Sequence, residues 1–104
     1  MRSEEEKRDL DRVIQAGFTN DITDYIEEAR RFALKYLPDK VIKRYLAPNR
    51  IYLKEVYANV LQTIIHNYNL MRRLKFEVEH DIKMGREPDP ETLEQIKKGE
   101  ALGF

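Results

Sequence analysis

Residues 50–84 read RIYLKEVYANVLQTIIHNYNLMRRLKFEVEHDIKM, without a proline or a glycine. Leu53, Val56, Tyr57, Val60, Leu61, Ile64, Ile65, Met71, Leu74, Val78 and Ile82 fall mostly three and four apart, the mark of one apolar stripe on an α-helix. The pattern predicts one long helix over 50–84, about 50 Å at roughly 1.5 Å per residue. His66-Asn67-Tyr68-Asn69 is its weak spot, because these residues form helix poorly. A kink or a split into two helices is the alternative there.

Working outward from this stretch, every other segment also reads as helix. Gly85 closes the long helix, and Asp89-Pro90-Glu91 opens a last short one with an N-cap and a proline in the first turn. Leu93 and Ile96 form its expected buried face and Gly99 its expected end, leaving residues 99–104 as an apolar tail. Upstream, Ala47-Pro48-Asn49 separates the long helix from a short element carrying Val41, Ile42, Tyr45 and Leu46. Before that, Ile22, Tyr25, Ile26, Ala29, Phe32, Ala33, Tyr36 and Leu37 make the clearest amphipathic helix, capped at Thr19-Asn20-Asp21 and stopped by Pro38. A first helix follows Ser3, which with Glu6 forms a capping box. Leu10, Val13 and Ile14 supply its apolar stripe, and Gly17 stands where a left-handed C-terminal cap is wanted. The expected class is therefore all-α. A small bundle of four to five helices spans 1–104 as a single domain.

The chain has 104 residues, enough for one domain, with 19 basic and 19 acidic side chains. That balance argues against histone-like coating of nucleic acid, which wants a basic excess. Cysteine is absent, which excludes disulfide scaffolds, thiolate zinc sites and cysteine nucleophiles. No apolar run approaches the roughly 20 residues that span a bilayer, and Glu4-Glu5-Glu6 is no signal peptide. We expect a soluble, intracellularly made protein with no membrane partner.

Charge is unevenly placed along the chain. Residues 1–28 hold four bases against nine acids, and 77–104 four against eight. Residues 29–54 hold Arg30, Arg31, Lys35, Lys40, Lys43, Arg44, Arg50 and Lys54 against Asp39 alone. With Tyr36, Tyr45 and Tyr52 interleaved, this segment could face phosphates, as in single-strand binders. The plainer reading makes the bases a solvated face partly neutralised by acids from elsewhere, because the tyrosines sit at core spacing. A third reading sets an acidic edge of one subunit against a basic edge of the next, and head-to-tail contacts of that kind close into rings. The long helix has more apolar face than short partners readily cover, so part of it is expected against another subunit. A self-contained bundle is the alternative.

Chemistry is sparse. His66 and His80 lie fourteen residues apart, about 21 Å along a continuous helix, too far to share a metal. Glu77-Val78-Glu79-His80 has the spacing used in di-iron bundles, but such a site needs a second copy and more carboxylates. Ser3 is the single serine, there is no glycine-rich phosphate loop, and Glu77 and Asp81 have no cleft to shift their pKa values. We therefore expect no catalytic, cofactor-binding or metal site, and no enzyme.

Three places resemble the head–tail connector (neck adaptor) proteins of tailed bacteriophages. Residues 22–37, with Tyr25-Ile26-Glu27-Glu28-Ala29, look like that family's opening helix. Arg44-Tyr45-Leu46-Ala47-Pro48 is similar to the Arg-Tyr-x-x-Pro that ends its next short helix. Residues 93–103, LEQIKKGEALG, look like its closing helix, glycine and Leu-Gly tail. Some relatives carry a second Arg-Tyr before the last helix, where this chain has Arg86-Glu87-Pro88. The resemblance implies a structural virion protein in the neck, assembled in the host cytoplasm. It would form a ring, typically of twelve subunits, lining the channel through which DNA passes without sequence recognition. Its partners would be further copies of itself, the portal protein above and a stopper or tail protein below. Leu102, Gly103 and Phe104 would contact the portal or a neighbouring subunit, and the basic residues would form a subunit edge or face DNA. Two alternatives stand beside it: a small nucleic-acid-binding accessory protein using the basic 30–54 segment, and a non-viral helical protein-interaction module.

Overall fold

The computed structural model describes residues 3–19, 21–46 and 53–104, and among them there is no strand. Five helices follow in order: α1 (Glu4–Gly17), α2 (Ile22–Tyr36), α3 (Asp39–Tyr45), α4 (Lys54–Lys83) and α5 (Pro90–Ala101). The all-α bundle with one long helix is as the periodicity predicts. α4 runs unbroken through His66-Asn67-Tyr68-Asn69. Ile64 and Ile65 before this stretch and Met71 and Leu74 after it are buried, so packing on both flanks overrides the weak propensity between them. α4 starts later than the pattern suggested, since Leu53 is its N-cap with extended backbone angles. The expected break at Ala47-Pro48-Asn49 lies outside the described residues.

α1 packs on α2, α2 on α4, and α4 on both α3 and α5. The core is where α2 meets α4. Ala29 and Ala33 are fully buried on α2 and let Phe32, Leu61, Ile64 and Ile65 close together, while Val13, Leu37 and Val41 seal the ends. Tyr36 and Tyr45 pack against this cluster, as their spacing indicated. The molecule is elongated, 47 × 28 × 19 Å, with a radius of gyration of 15.3 Å. A compact chain of this length would have about 13 Å.

Helix ends correct the reading in two places, the cap at Gly17 and the end of α5. Gly17 takes no left-handed conformation. α1 is closed instead by Thr19, whose N–H and hydroxyl both donate to the Ala16 carbonyl at 3.2 and 2.8 Å. Gly99 does not end α5. It lies buried inside the helix beneath Met71, whose thioether leaves no room for a Cβ. Gly103, at φ +103°, terminates α5. Phe104 N–H donates to Gly99 O and Gly103 N–H to Glu100 O, the paired bonds of a Schellman motif. Gly85, at φ +74°, closes α4 in the same way, with Arg86 N–H on Asp81 O and Gly85 N–H on Ile82 O. The expected buried face of α5 is only partial, because Leu93 is exposed and Ile96 half-buried, and Ile14 of the α1 stripe is exposed too.

Candidate functional site

The basic segment is divided by the fold. Lys35, near the end of α2, is drawn onto α1: its Nζ lies 2.6 Å from Glu5 Oε1 and 3.0 Å from Asp9 Oδ2. These two carboxylates raise the Lys35 pKa. Tyr36 donates its hydroxyl to the same Asp9 oxygen at 2.5 Å. That bond, with Lys35 beside it, holds the Asp9 carboxyl below the usual carboxylate range. Arg31 pairs with Glu28 one turn earlier at 3.2 Å, and Lys54 Nζ donates to Thr23 Oγ1 at 3.2 Å. Arg30, Lys40, Lys43 and Arg44 are exposed, and none of them has an ion pair among the described residues. Arg44 lies 5.7 Å from the centre of the Tyr45 ring. Arg50 and Tyr52 lie outside the described residues.

Part of the charge imbalance is thus internal compensation, with Glu5 and Asp9 of α1 meeting Lys35 of α2. Tyr36 is not presented as a stacking platform. Tyr36 is turned inward against Phe32, with ring centres 4.8 Å apart, and is hydrogen-bonded to Asp9. Among the described residues, what remains for a ligand or partner is Lys40, Lys43 and Arg44 on α3 and Arg30 on α2.

The tail residues are seated on their own chain. Phe104 packs against the core cluster, and Gly103 approaches Lys40 and Val41 of α3. Lys75 Nζ donates to the Phe104 main-chain oxygen at 3.2 Å and lies 3.7 Å from Glu100. Leu102 is exposed.

The sequence reading missed one polar cluster. Glu6, 4% exposed, accepts hydrogen bonds from Arg72 at 2.7 Å and from Tyr68 at 3.1 Å. Arg72 also donates to the Tyr68 hydroxyl at 2.9 Å. Burial raises the Tyr68 pKa, with Arg72 opposing it. Burial works against the charge on Arg72 as well, but Tyr68 and Glu6 outweigh it and raise that pKa. The signal was available, since Glu6 falls four and seven residues before Leu10 and Val13, on the buried stripe of α1. The capping box had absorbed it, although Ser3 Oγ does accept from Glu6 N–H at 3.2 Å.

His80 lies nearly parallel to the Phe76 ring, with 6.4 Å between centres. Among the described residues, no three His, Asp or Glu side chains gather as a metal site, and no helix is long and apolar enough to cross a membrane. No protein-family model matches the chain, and neither the curated proteins nor the solved structures contain a match to it.

Proposed function

We propose that this chain is a non-enzymatic assembly protein, a ring-forming adaptor between the portal and the stopper or tail of a tailed phage. One observation carries the assembly part of the reading: an elongated molecule leaves large apolar side chains uncovered at both ends of its long helix. Phe76 is 55% exposed and Ile82 and Met84 are each 62% exposed near the end of α4, while Leu53 and Val56 are exposed at its start. Phe18 projects from the turn before α2. Contiguous apolar exposure marks surfaces that meet other proteins, and these side chains supply apolar area near both ends of α4. The phage assignment itself rests on the resemblance of residues 22–37, 44–48 and 93–103.

The test is the mass of the purified chain by light scattering, alone and mixed with the portal protein encoded near it. A ring-sized complex in either sample supports the adaptor reading. A monomer indifferent to the portal rejects it. Leu102→Ser with Phe104→Ser probes the tail. Weakened portal binding at unchanged helix content supports a portal contact, which would require Phe104 to leave its present seat. Normal binding removes that role.

Arg30, Lys40, Lys43 and Arg44, exposed and unpaired among the described residues, favour a second reading as a nucleic-acid accessory. Affinity for a DNA oligomer that falls steeply with salt would support it, through counterion release. A flat salt profile would dismiss it.

A further inference from the structure

Phe18 is the most exposed large apolar side chain among the described residues, at 80%. It caps α1, its N–H spent on the Gln15 carbonyl and its ring directed away from the fold's own packing. The stretch of chain around it is acidic. Residues 13–29 contain no lysine or arginine, and Asp21 and Asp24 stand exposed where α2 begins. Lys54 reaches this turn through Thr23.

A second feature is apolar as well. Between α4 and α5 runs an open groove of about 300 Å³, lined by Leu70, Met71, Leu74, Leu102 and Phe104, with Gln95 and Lys98 beside them. Lys40 approaches its Gly103-Phe104 end. Neither Lys98 nor Lys40 has an ion pair among the described residues, whereas nearby Lys75 is occupied by Glu100. The lining is apolar, and Lys98 stands on it without an ion pair among the described residues.

One surface therefore offers an aromatic knob beside the carboxylates of Asp21 and Asp24, and the other an apolar socket with the Lys98 ammonium on it and the stem of Lys40 near its end. The two surfaces differ and complement each other, which is the requirement for a heterologous contact repeated head to tail. We propose that Phe18 of one copy of this chain seats in the α4–α5 groove of the next copy. Asp21 and Asp24 face Lys98 and Lys40 around it. The inference deepens the assembly reading above and rests on it for the statement that the chain associates with itself. Knob and socket on every copy leave each end of a growing row open to the next, so the row closes as a ring or continues as a filament.

The cysteine-free chain allows a direct test. Gln15→Cys, one turn before Phe18, and Gln95→Cys, beside the groove, are made as separate chains, mixed and oxidised. The contact requires a disulfide-linked heterodimer well above that of a control mixture of Arg8→Cys with Gln95→Cys. Adding Phe18→Ser to the Gln15→Cys chain should lower the yield about tenfold, the loss of a buried aromatic anchor. Circular dichroism checks that each variant keeps its helix content. A yield equal to the control, or one indifferent to Phe18→Ser, overturns the contact. The ring reading is judged separately, by the mass of the unmodified chain. Ring-sized particles that survive Phe18→Ser would sink the knob and leave the ring standing. A Phe18-dependent crosslink in a chain that forms only filaments would do the reverse.

Discussion

Arg72 Nη1 lies 2.7 Å from both carboxylate oxygens of Glu6, a residue 66 positions earlier in the chain. This contact ties the first turn of α1 to the second half of α4. A buried carboxylate is costly unless paired and hydrogen-bonded, and Arg72 and Tyr68 together supply both conditions. We predict that Glu6→Ala destabilises the fold by about 2 kcal/mol, less than for a fully buried pair because Arg72 keeps access to water. Urea unfolding of Glu6→Ala, Arg72→Met and the double variant should show a coupling of about 1 kcal/mol or more. Additive single effects would mean that the pair is incidental.

Asp9 predicts a pH dependence. Its folded pKa lies below the ordinary value of 3.8, chiefly through the Tyr36 hydroxyl and then Lys35. The folded state therefore binds this proton more weakly than the unfolded chain does. The contribution is fully present above the ordinary value and is lost as pH falls through the lowered one. Wild type should exceed Asp9→Asn in stability at pH 7, and the gap should narrow below about pH 4. A gap constant from pH 7 to pH 2 would exclude the linkage.

Gly99 predicts a steric effect opposite to helix propensity. Alanine is better than glycine in a free helix by about 1 kcal/mol, yet a Cβ here collides with the Met71 side chain. Gly99→Ala should cost about 1–3 kcal/mol, and Gly99→Val more, as α5 is pushed off α4. Met71→Ala should relieve most of that cost when combined with Gly99→Ala, in thermal or urea unfolding. Stabilisation by Gly99→Ala alone would show that α5 shifts freely.

Phe32 predicts the size of the central core. It is 2% exposed and contacts the rings of both Tyr36 and Tyr68. Phe32→Ala should cost about 3–5 kcal/mol, whereas Phe76→Ala on the open face of α4 should change stability by less than about 0.5 kcal/mol. Equal losses at the two positions would mean that Phe76 is covered in solution, as self-association would produce.

Much of the fold was legible because it is local. The breaks at Pro38 and Gly85, the Asp21 and Asp89 caps and the apolar stripe of α4 depend on neighbours within a turn or two. The errors lie where local signals compete. Gly17 does end α1, but without the left-handed cap, since Thr19 supplies the closing bonds, and Gly99 looks like a terminator yet stays inside α5 because Met71 needs the space. For the candidate surfaces, residue type showed where the bases are but not which of them are consumed. Lys35 and Arg72 are spent on α1, while Lys40, Lys43 and Arg44 are left exposed.

Helix number, the apolar face of each helix and the uneven charge follow from spacing and composition alone, since a backbone with a period near 3.6 residues sorts its side chains without regard to distant segments. The joining of Glu6 to Arg72, the inward turn of Tyr36, the seat of Phe104 and the exposure of Phe18 follow from which helices lie side by side. That arrangement depends on long-range packing of Ala29, Ala33, Leu61 and Ile64. No local pattern encodes it, because many pairings of amphipathic helices bury similar area and side-chain shape selects among them.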